Sequence, residues 1–504
     1  MLRQLLFIWT LTLGGCVLAP AELHQVESFA LPPPEEGVLP SYGEEIAAEL
    51  QPGESAFWLL DEARFSLDAR LALIDHAQST LDVQYFIWED TLTGRLLARR
   101  LIAAAERGVR VRLLLDDLTM SRRDWEYVAL ESHPLIEVRT FNPWKGRRPY
   151  QRVFEFMLRH KDLNRRMHVK TVLADGQFAV IGGRNIGDRY FGLSEVFVQN
   201  DLDIMAAGPM IPDVIASFDE YWNNGHSYPV TAIARKSVRD SALADFATLT
   251  ASIAEDQKLS PFPSRPANWT ELFAGLSESF AAGRGQLSYD PPVLDRDQPR
   301  VLRADLLELM RSARESVAIV TAYLIPDDEF IALLEELAAR DVSVKIVTNS
   351  LATNNHLLAH TAYRRWRRRL LGAGVDLYEL RADAELMSMH SLPGNGASWL
   401  GLHSKAIVVD NDRSFVGSPN IDPRSLLLNL EIGFFVESAE LAERVLAIID
   451  RKSLPENAWR VTMNEEGWLK WSNADETVTR QPAQGFKQRF IEFFTNLLPL
   501  KNQA

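Results

Sequence analysis

The chain has 504 residues, of which 46% are hydrophobic and 24% charged, and this length suits about two globular domains. Its formal net charge of −14 argues against a protein that binds nucleic acid mainly through an overall basic surface. Cys16 is the single cysteine, which excludes an internal disulfide and a cysteine-based zinc cluster.

The N-terminal segment has the features of a secretory signal. Arg3 precedes an apolar run at residues 5–13, and two glycines then lead to Cys16 in a sequence that resembles the lipobox of bacterial lipoproteins. The run is shorter than the roughly 20 apolar residues that span a bilayer, and it fits the hydrophobic region of a signal peptide. We predict a signal peptide with a lipobox at residues 1–16 and lipid attachment at Cys16. An uncleaved anchor and a misread start are the alternatives.

Residues 17–55 are predicted to form a linker or tether. They include a proline-rich, acidic stretch at residues 31–36, which is typical of a stiff spacer and not of a core. Such a spacer would hold the folded body away from a membrane.

The body then alternates helical and strand-like patterns, and it does so twice. In the first half the patterns predict a helix at 69–76, a strand at 81–88, a helix at 96–107 and a strand at 109–115. In the second half they predict a helix at 306–313, a strand at 317–323, a helix at 329–340 and a strand at 342–348. Strands that alternate with helices in this way indicate parallel crossover units, so we predict an α/β fold in two similar halves.

We place these halves at residues 56–228 and 300–455. The stretch between them, 229–299, is rich in proline and weak in periodicity, and is predicted to be a linker or insertion. Residues 456–504 form a C-terminal segment that ends in a predicted amphipathic helix, in which Phe486, Phe490, Phe493, Phe494 and Leu497 recur at helical spacing. That apolar face suits either a membrane interface or packing on the core.

One sequence pattern occurs in both halves, at residues 167–185 and 402–420. Each copy has His, one residue, Lys, four residues, Asp, six residues, and then Gly, a small residue, one residue and Asn. The equivalent residues are His168 and His403, Lys170 and Lys405, Asp175 and Asp410, Gly182 and Gly417, Gly183 and Ser418, and Asn185 and Asn420. Neither strand propensity nor burial explains why these polar types should recur together, so the two copies indicate one shared site.

The spacing within each copy suggests different roles for its residues. Positions i and i+2 of a strand face the same way, so each histidine projects together with its lysine. Asp175 and Asp410 fall at odd offsets and begin turn-like sequences, which predicts support of a hairpin and not direct chemistry. The small residues allow backbone to approach a ligand closely, and the asparagines can donate amide hydrogens.

This pattern resembles the HKD motif of the phospholipase D superfamily. From about residue 65 to the C-terminal Phe-rich segment, the chain is similar to bacterial cardiolipin synthases of the C type, notably at residues 81–88, 164–168, 182–188 and 422–425. Pro419 departs from the family pattern, where an aromatic residue is common. The resemblance implies two phospholipase D-type α/β sandwich halves, related by pseudo-twofold symmetry, whose motifs meet at one cleft.

The resemblance also implies roles for the motif residues in a reaction that breaks one phosphodiester bond and forms another. The implied catalytic set comprises His168, Lys170, Asp175, His403, Lys405 and Asp410. Within it His168 would be the nucleophile and His403 the general acid and base, although the two could be reversed. Lys170, Lys405, Asn185 and Asn420 would bind phosphate oxygens. Two histidines and two lysines supply the nucleophile, the acid and the cations that such a reaction needs, so we expect neither a metal nor a cofactor.

Each histidine further needs a partner on its second ring nitrogen. An alignment of residues 201–204 with residues 429–432 places Asp203 opposite Glu431. We predict that these two carboxylates orient the histidines. A salt bridge at a strand edge is the alternative.

The predicted function is phosphatidyl transfer through a phosphohistidine intermediate, with cardiolipin synthesis from phosphatidylglycerol and a second phospholipid as the favoured reaction. The alternatives are hydrolysis of phospholipids to phosphatidic acid, a secreted nuclease of the same superfamily, and a lipid-binding envelope protein with an inactive site. The acidic charge, the terminal helix and the lipobox disfavour a nucleic-acid partner. We expect phospholipid substrates, a membrane surface as partner, and a location in the bacterial cell envelope with a lipid anchor at Cys16. Val17 is compatible with transfer to the outer membrane.

Overall fold

The computed structural model describes residues 26–120, 123–254, 269–294, 300–392 and 396–495. The predicted signal peptide, with Cys16, lies outside these residues.

The first half of the chain contains nine strands and nine helices among the residues described. The strands are β1 (Ser55–Leu60), β2 (Thr80–Tyr85), β3 (Arg110–Asp116), β4 (Ile136–Phe141), β5 (Lys170–Ala174), β6 (Phe178–Gly182), β7 (Val198–Asn200), β8 (Asp203–Ala207) and β9 (Ser227–Pro229). The helices are α1 (Val38–Glu49), α2 (Ala63–His76), α3 (Leu92–Glu106), α4 (Asp117–Met120), α5 (Asp124–Leu130), α6 (Pro149–Leu163), α7 (Ile211–Trp222), α8 (Val230–Ile233) and α9 (Lys236–Ala254).

The remainder of the described chain also combines strands with helices. Its strands are β10 (Ala281–Tyr289), β11 (Ser316–Val320), β12 (Ser343–Asn349), β13 (Asp376–Leu380), β14 (Leu400–Leu402), β15 (Ala406–Val409), β16 (Arg413–Gly417), β17 (Ile432–Glu437), β18 (Ala458–Met463), β19 (Leu469–Ser472) and β20 (Thr477–Val478). Its helices are α10 (Thr270–Ser277), α11 (Val301–Arg311), α12 (Asp328–Ala339), α13 (Leu357–Tyr363), α14 (Arg367–Gly372), α15 (Met387–His390), α16 (Ala439–Ser453) and α17 (Phe486–Thr495).

The two halves have sheets of the same design. In the first sheet the order is β9-β4-β3-β2-β5-β6-β8-β1, with β2, β3 and β4 parallel and the other neighbours antiparallel. In the second the order is β18-β13-β12-β11-β15-β16-β17-β10, with β11, β12 and β13 parallel. Each parallel strand pair is connected through a helix, as the sequence pattern predicts. The two-halved α/β fold is thereby confirmed.

Strand β10 joins the two sheets. Its first residues, from Ala281 to Gly283, pair with β1, whereas the rest of the strand pairs with β17. In the second half β10 lies beside β17 as β1 lies beside β8 in the first half. The predicted linker at 229–299 therefore contains a strand that belongs to the second sheet, which the weak periodicity of this stretch concealed.

Part of the predicted tether packs on the first half. Leu39 and Ile46 of α1 are buried in its core. Farther upstream, the guanidinium of Arg112 donates to the carbonyl of Ser28 at 2.8 Å, and Arg139 donates to the carbonyl of Val26 at 2.6 Å. The segment is therefore not a stiff spacer that stands away from the body, as we expected. Its backbone carbonyls accept hydrogen bonds from buried arginines of the sheet, which need such acceptors.

An apolar core lies between the halves in addition to the core within each of them. Phe57 of the first sheet meets Phe434 of the second, with ring centroids 6.2 Å apart. Strands β7 and β14, one from each half, also form a parallel pair. Burial of one side chain of this size contributes about 1.5–3 kcal/mol to stability. The apolar contacts between the halves therefore stabilise the arrangement in which the two motifs face each other.

The C-terminal segment continues the second sheet and then ends in a docked helix. Strand β18 pairs with β13, and both Trp459 and Trp471 are buried. In α17 the amide of Gln488 donates to the carbonyl of Leu351 at 2.6 Å. Phe490, in the predicted apolar stripe, is 51% exposed. The side chains of Phe486, Phe493 and Phe494, and all of Leu497, lie outside the description.

Within the ranges described, no helix is both long and apolar enough to cross a bilayer.

Candidate active site

The two motifs meet at the interface between the halves, and each is held by the opposite half. The backbone N–H of His168 donates to the carbonyl of Leu430 at 2.8 Å. Correspondingly, the N–H of His403 donates to the carbonyl of Asn200 at 2.6 Å. Both histidines are buried just before the first motif strand of their own sheet. The cleft therefore exists only where the halves join.

Glu431 contacts His168 across this interface. Its carboxylate lies 2.7 Å from Nδ1 of His168. The same carboxylate accepts from the hydroxyl of Ser418 at 2.5 Å and from the amide of Asn429 at 3.1 Å. Because Nδ1 is occupied, Nε2 is the nitrogen that the ring presents for chemistry. Glu431 thus lies where the sequence analysis placed an orienting carboxylate.

Asp201, and not Asp203, contacts the other histidine. A carboxylate oxygen of Asp201 lies 2.5 Å from Nδ1 of His403. Asp203 instead forms buried ion pairs with Arg70 at 2.8 Å and with Arg184 at 3.1 Å. The predicted pairing of Asp203 with a histidine is therefore wrong, and the alternative of a salt bridge holds for this residue.

Strand register explains the error. In the first sheet Gly182 pairs with Asp203, and in the second its counterpart Gly417 pairs with Gly433. Asp203 is thus equivalent to Gly433, which makes Asp201 equivalent to Glu431. An alignment shifted by two residues keeps every side chain on the same face of a strand, so the alternation of apolar residues could not reveal the slip.

The two orienting carboxylates are accommodated differently. Glu431 bonds the hydroxyl of Ser418, whereas the residue equivalent to Ser418 in the first half is Gly183. A Cβ on Gly183 would lie 2.1 Å from a carboxylate oxygen of Asp201. The shorter aspartate keeps its carboxylate close to the backbone, so only glycine fits beside it.

The two motif lysines lie beside their histidines in the same interior. The ammonium of Lys170 donates to the carbonyl of His168 at 2.7 Å. That of Lys405 bonds the carbonyl of His403 and lies 2.8 Å from its Nδ1. Both lysines are 1% exposed. Four basic side chains from two halves thus share one buried cluster.

Burial dominates the electrostatics of this cluster. It lowers the pKa of His168 and of His403 to about 4, with the nearby lysines adding to the effect. Burial likewise lowers the pKa of Lys170 to about 7 and that of Lys405 to about 8. Both histidines are therefore neutral near pH 7, and the lysines titrate close to that pH.

The carboxylates respond in the opposite direction. Burial alone would raise the pKa of Asp201, but His403 and Lys405 hold it below its usual value. His168 and Lys170 do the same for the pKa of Glu431, against the effect of its burial. Both carboxylates are consequently ionised at neutral pH, and each is placed to stabilise the positive charge that its imidazole acquires on protonation.

The asparagines of the motif differ in their surroundings. The amide of Asn185 accepts from the N–H of Ile87 at 3.2 Å and donates to the hydroxyl of Tyr190 at 3.1 Å. Within the described part of the chain, Oδ1 of the buried Asn420 has no hydrogen-bond partner. A phosphate-binding role for these amides, and for the lysines, stays a prediction.

Asp175 and Asp410 lie away from the histidines. The carboxylate of Asp175 accepts from the backbone N–H groups of Gln78, Ser79 and Thr80, at 2.7–2.9 Å. Asp410 accepts from the N–H groups of residues 314–316 in the same way. Each thus holds the loop that enters the first parallel strand of its sheet. These contacts correct the inclusion of both aspartates in the catalytic set. They give each aspartate a structural role in the loop before a neighbouring strand, and not in the hairpin that its spacing suggested.

The sequence analysis missed a second polar pair, Asp116 and Asn349. Asp116 ends β3 and accepts the N–H of Met167 at 3.0 Å, while Asn349 ends β12 and accepts the N–H of Leu402 at 2.9 Å. Each holds the residue before a histidine. A signal was present, since Asp116 and Asn349 directly follow two predicted strands and the carboxyl ends of parallel strands line ligand sites.

Aromatic rings pack against both imidazoles. Phe86 meets His168 edge to face with centroids 4.8 Å apart, and Tyr190 meets His403 at 5.3 Å. These rings exclude water from one side of each histidine. No grouping of three or more His, Cys, Asp or Glu side chains in the described residues is arranged to hold a metal ion.

Comparison with known proteins agrees with this geometry. The family model described as "Cardiolipin synthase, PLD-like domain" matches residues 71–222 and 306–452, one match in each half. Cardiolipin synthase C of Escherichia coli (strain K12) is 36% identical over 475 residues, which cover 89% of this chain and 96% of that protein. Cardiolipin synthase 1 of Bacillus anthracis is 26% identical over 363 residues, which cover 72% of this chain and 59% of that protein.

A solved structure shares the fold. The phosphatidylserine synthase of Haemophilus influenzae Rd KW20 superposes with a TM-score of 0.54 at 13% identity, over 82% of this chain and 90% of that one. Both family matches coincide with the two halves that carry the paired motif. The chain therefore belongs to the phospholipase D-like family that includes the cardiolipin synthases.

Proposed function

We propose that this chain is a phosphatidyltransferase that forms cardiolipin from phosphatidylglycerol and a second phospholipid. The observation that carries the proposal is the crossed pairing of His168 with Glu431 and of His403 with Asp201, at one buried site that also holds two lysines. The similarity to cardiolipin synthases over most of the chain supports the choice of substrate.

In the first step Nε2 of His168 attacks the phosphorus of the donor phospholipid. A nitrogen–phosphorus bond forms, the bond from phosphorus to the headgroup oxygen breaks, and His403 gives its proton to that oxygen. Burial lowers the pKa of His403 to about 4, so this histidine gains its proton when the anionic phosphodiester binds and raises that pKa. Glu431 stabilises the positive charge that His168 acquires.

In the second step a headgroup hydroxyl of phosphatidylglycerol, the acceptor that contributes the central glycerol of cardiolipin, replaces the histidine. His403 takes the proton of this hydroxyl, its oxygen bonds to phosphorus, and the bond from phosphorus to His168 breaks. Lys170 and Lys405 balance the charge of the phosphoryl oxygens throughout. Water could enter in place of the lipid hydroxyl, and the product would then be phosphatidic acid.

Product analysis separates transfer from hydrolysis. Purified protein is incubated with phosphatidylglycerol, alone and with a deuterium-labelled second phospholipid, and the lipids are identified by mass spectrometry. Cardiolipin that carries the label is the expected product. Phosphatidic acid alone would favour the hydrolase and contradict the proposal. The His168→Ala variant serves as the inactive control.

A substrate with a nitrophenyl leaving group distinguishes the two histidines. Nitrophenolate departs without a proton, so the His403→Ala variant should still release one equivalent and accumulate the phosphohistidine on His168. The His168→Ala variant should release none. Mass spectrometry of the trapped peptide identifies the modified residue. Phosphate on His403 of the His168→Ala variant would reverse the assignment.

We further propose that the protein is membrane-associated in the bacterial cell envelope through a lipid at Cys16. Its similarity to cardiolipin synthases supports membrane association. The Cys16→Ser variant should no longer incorporate radiolabelled palmitate and should partition less into the membrane fraction. Undiminished incorporation would contradict the anchor.

A further inference from the structure

Helix α6 presents an apolar face to the outside of the first half. Val153, Met157 and Leu158 are 63–65% exposed, and Tyr150, Phe154 and Phe156 are exposed beside them. Single exposed apolar residues are common on soluble proteins, but several large ones on one short helix mark an interaction surface. We call this the α6 face.

The charge around the α6 face identifies an anionic partner. Residues 145–163 contain six lysines or arginines and two acidic residues, a formal charge of +4, or +3 once Arg147 is set against its buried partner Asp117, within a chain of −14. One of the two acidic residues, Glu155, is buried and accepts from the backbone N–H groups of Lys145 and Gly146, at 3.1 and 3.0 Å. The acidic side chain is thus turned inward while large apolar side chains project from the same helix.

This combination suits a membrane better than the other partners. A nucleic acid would use the cations but leaves the apolar side chains without a role. A second copy of the chain, packed through a twofold axis, would bring two like-charged segments together. An apolar face bordered by lysine and arginine is the pattern of helices that lie in the interface of anionic bilayers.

The α6 face is also tied to the active site. The loop before α6 is held by Asp117, whose carboxylate accepts from the N–H of Trp144 at 2.7 Å and from Arg147 at 2.7 Å. Asp117 directly follows Asp116, which holds the backbone just before the nucleophilic histidine. The helix is therefore built onto the same loop that positions the first motif.

Helix α17 has the corresponding attachment in the second half. Gln488 bonds the carbonyl of Leu351, two residues beyond Asn349, which holds the backbone before the second motif histidine. On this helix Phe490 is 51% and Ile491 36% exposed. Each motif thus has an apolar helix seated on its adjoining loop.

We propose that α6 docks the protein on an anionic phospholipid bilayer by inserting its apolar face, with α17 as the second contact. The inference rests on the proposed function, since a lipid substrate is what gives the docking its use. A lipid would then enter the cleft directly from the bilayer on which the protein is docked.

Fluorescence quenching tests the insertion directly. The chain has one cysteine, so a full-length Cys16→Ser parent can carry a single new cysteine at Met157→Cys or, as a matched control, at Leu243→Cys on α9, where the side chain is 75% exposed. Each is labelled with an environment-sensitive nitrobenzoxadiazole dye. Vesicles of phosphatidylglycerol and phosphatidylethanolamine should shift the Met157 label to the blue and reduce its quenching by iodide severalfold, with the Leu243 label unchanged.

Three outcomes would overturn the proposal. Equal quenching of the two labels in the presence of vesicles would show that α6 does not insert. Protection of the Met157 label without vesicles, rising with protein concentration, would assign the face to a second copy. Equal protection by vesicles of phosphatidylcholine alone would remove the role of anionic lipid.

The same experiment separates docking from catalysis. Insertion needs no turnover, so the His168→Ala form of each labelled protein should dock as well as its parent. A protein that docks but converts no lipid would contradict the proposed function and leave the docking intact. In the active protein, a Val153→Glu, Met157→Glu and Leu158→Glu triple variant should lower turnover of vesicle lipid relative to turnover of a short-chain soluble phosphodiester, whereas Leu243→Glu should not change this ratio.

Discussion

Asparagine substitutions at Asp201 and Asp203 should have opposite consequences, although the two residues lie two positions apart on one chain segment. Asp201 contacts His403, whereas Asp203 pairs with Arg70 and Arg184. Asparagine preserves the volume at either position and removes the charge. Asp201→Asn should therefore reduce catalysis, and Asp203→Asn should reduce stability.

The contacts give the expected size of each effect. A hydrogen bond between charged groups is worth about 1.5–3 kcal/mol, which corresponds to a loss in kcat of roughly 10- to 150-fold for Asp201→Asn. Removing one partner of a buried ion pair costs about 3–5 kcal/mol in stability, which is the loss expected for Asp203→Asn.

The identity of the cations sharpens this contrast. After Asp201→Asn the neighbouring Lys405 can lose its proton, because burial lowers its pKa to about 8. Arginine cannot be deprotonated in proteins, so Arg70 and Arg184 would stay charged and under-compensated in the Asp203→Asn variant. The fall in Tm should consequently be smaller for Asp201→Asn.

The assay measures kcat per folded molecule for phosphatidylglycerol and Tm by differential scanning fluorimetry. A third measurement is the burst of nitrophenol from a nitrophenyl phosphodiester, which needs no proton from His403 and should recover most of the loss in Asp201→Asn. A kcat loss confined to Asp203→Asn, with Asp201→Asn unimpaired, would refute the assignment of the orienting carboxylate.

Three further substitutions or titrations test other parts of the site. Gly183→Ala should displace the Asp201 carboxylate, because the new Cβ would lie 2.1 Å from its oxygen, and kcat should fall as far as in Asp201→Asn; wild-type kcat would show that the carboxylate can move without effect. Asp175→Ala removes charged hydrogen bonds to three N–H groups that are remote from the histidines. It should lower the free energy of unfolding by about 3 kcal/mol in urea titrations and leave kcat per folded molecule unchanged. A fall in that kcat would show that Asp175 takes part in catalysis. The affinity for sulfate, measured by calorimetry, should decrease as pH rises from 7 to 8, because Lys170 and Lys405 lose their protons in this range. For the same reason, sulfate binding in this range should take up protons. A pH-independent affinity would exclude these lysines as the anion ligands.

Periodicity was sufficient to predict most of the fold. The helices and strands predicted before the first motif and after residue 300 all occur, with ends displaced by a few residues, because their apolar residues face cores at regular intervals. Strand β10 escaped prediction because its first three residues pair with the first sheet and the next six with the second, and because its burial does not alternate cleanly. The packing of residues 26–30 depends on backbone carbonyls, which sequence patterns do not display.

The candidate site was predicted as far as local spacing reaches. His168 and Lys170 lie two residues apart in the segment that leads into β5, so their relation is visible in the sequence. Pairing with Glu431 or Asp201 crosses between halves, and its register depends on which carbonyl accepts the histidine N–H. A shift of two residues leaves the apolar pattern unchanged, so the sequence pattern could not show that Asp201, and not Asp203, is equivalent to Glu431.

The unlike neighbours of the two orienting carboxylates constrain how this protein can vary. An Asp201→Glu change alone would set a longer side chain in a space shaped for aspartate, with no serine hydroxyl to fix it, and Gly183→Ser alone would collide with the aspartate already there. Both single variants should be impaired, whereas the double variant would reproduce the arrangement of Ser418 and Glu431. The halves therefore hold two workable solutions separated by unfit intermediates, so a lineage can keep either solution for long periods and exchange them only by paired mutations.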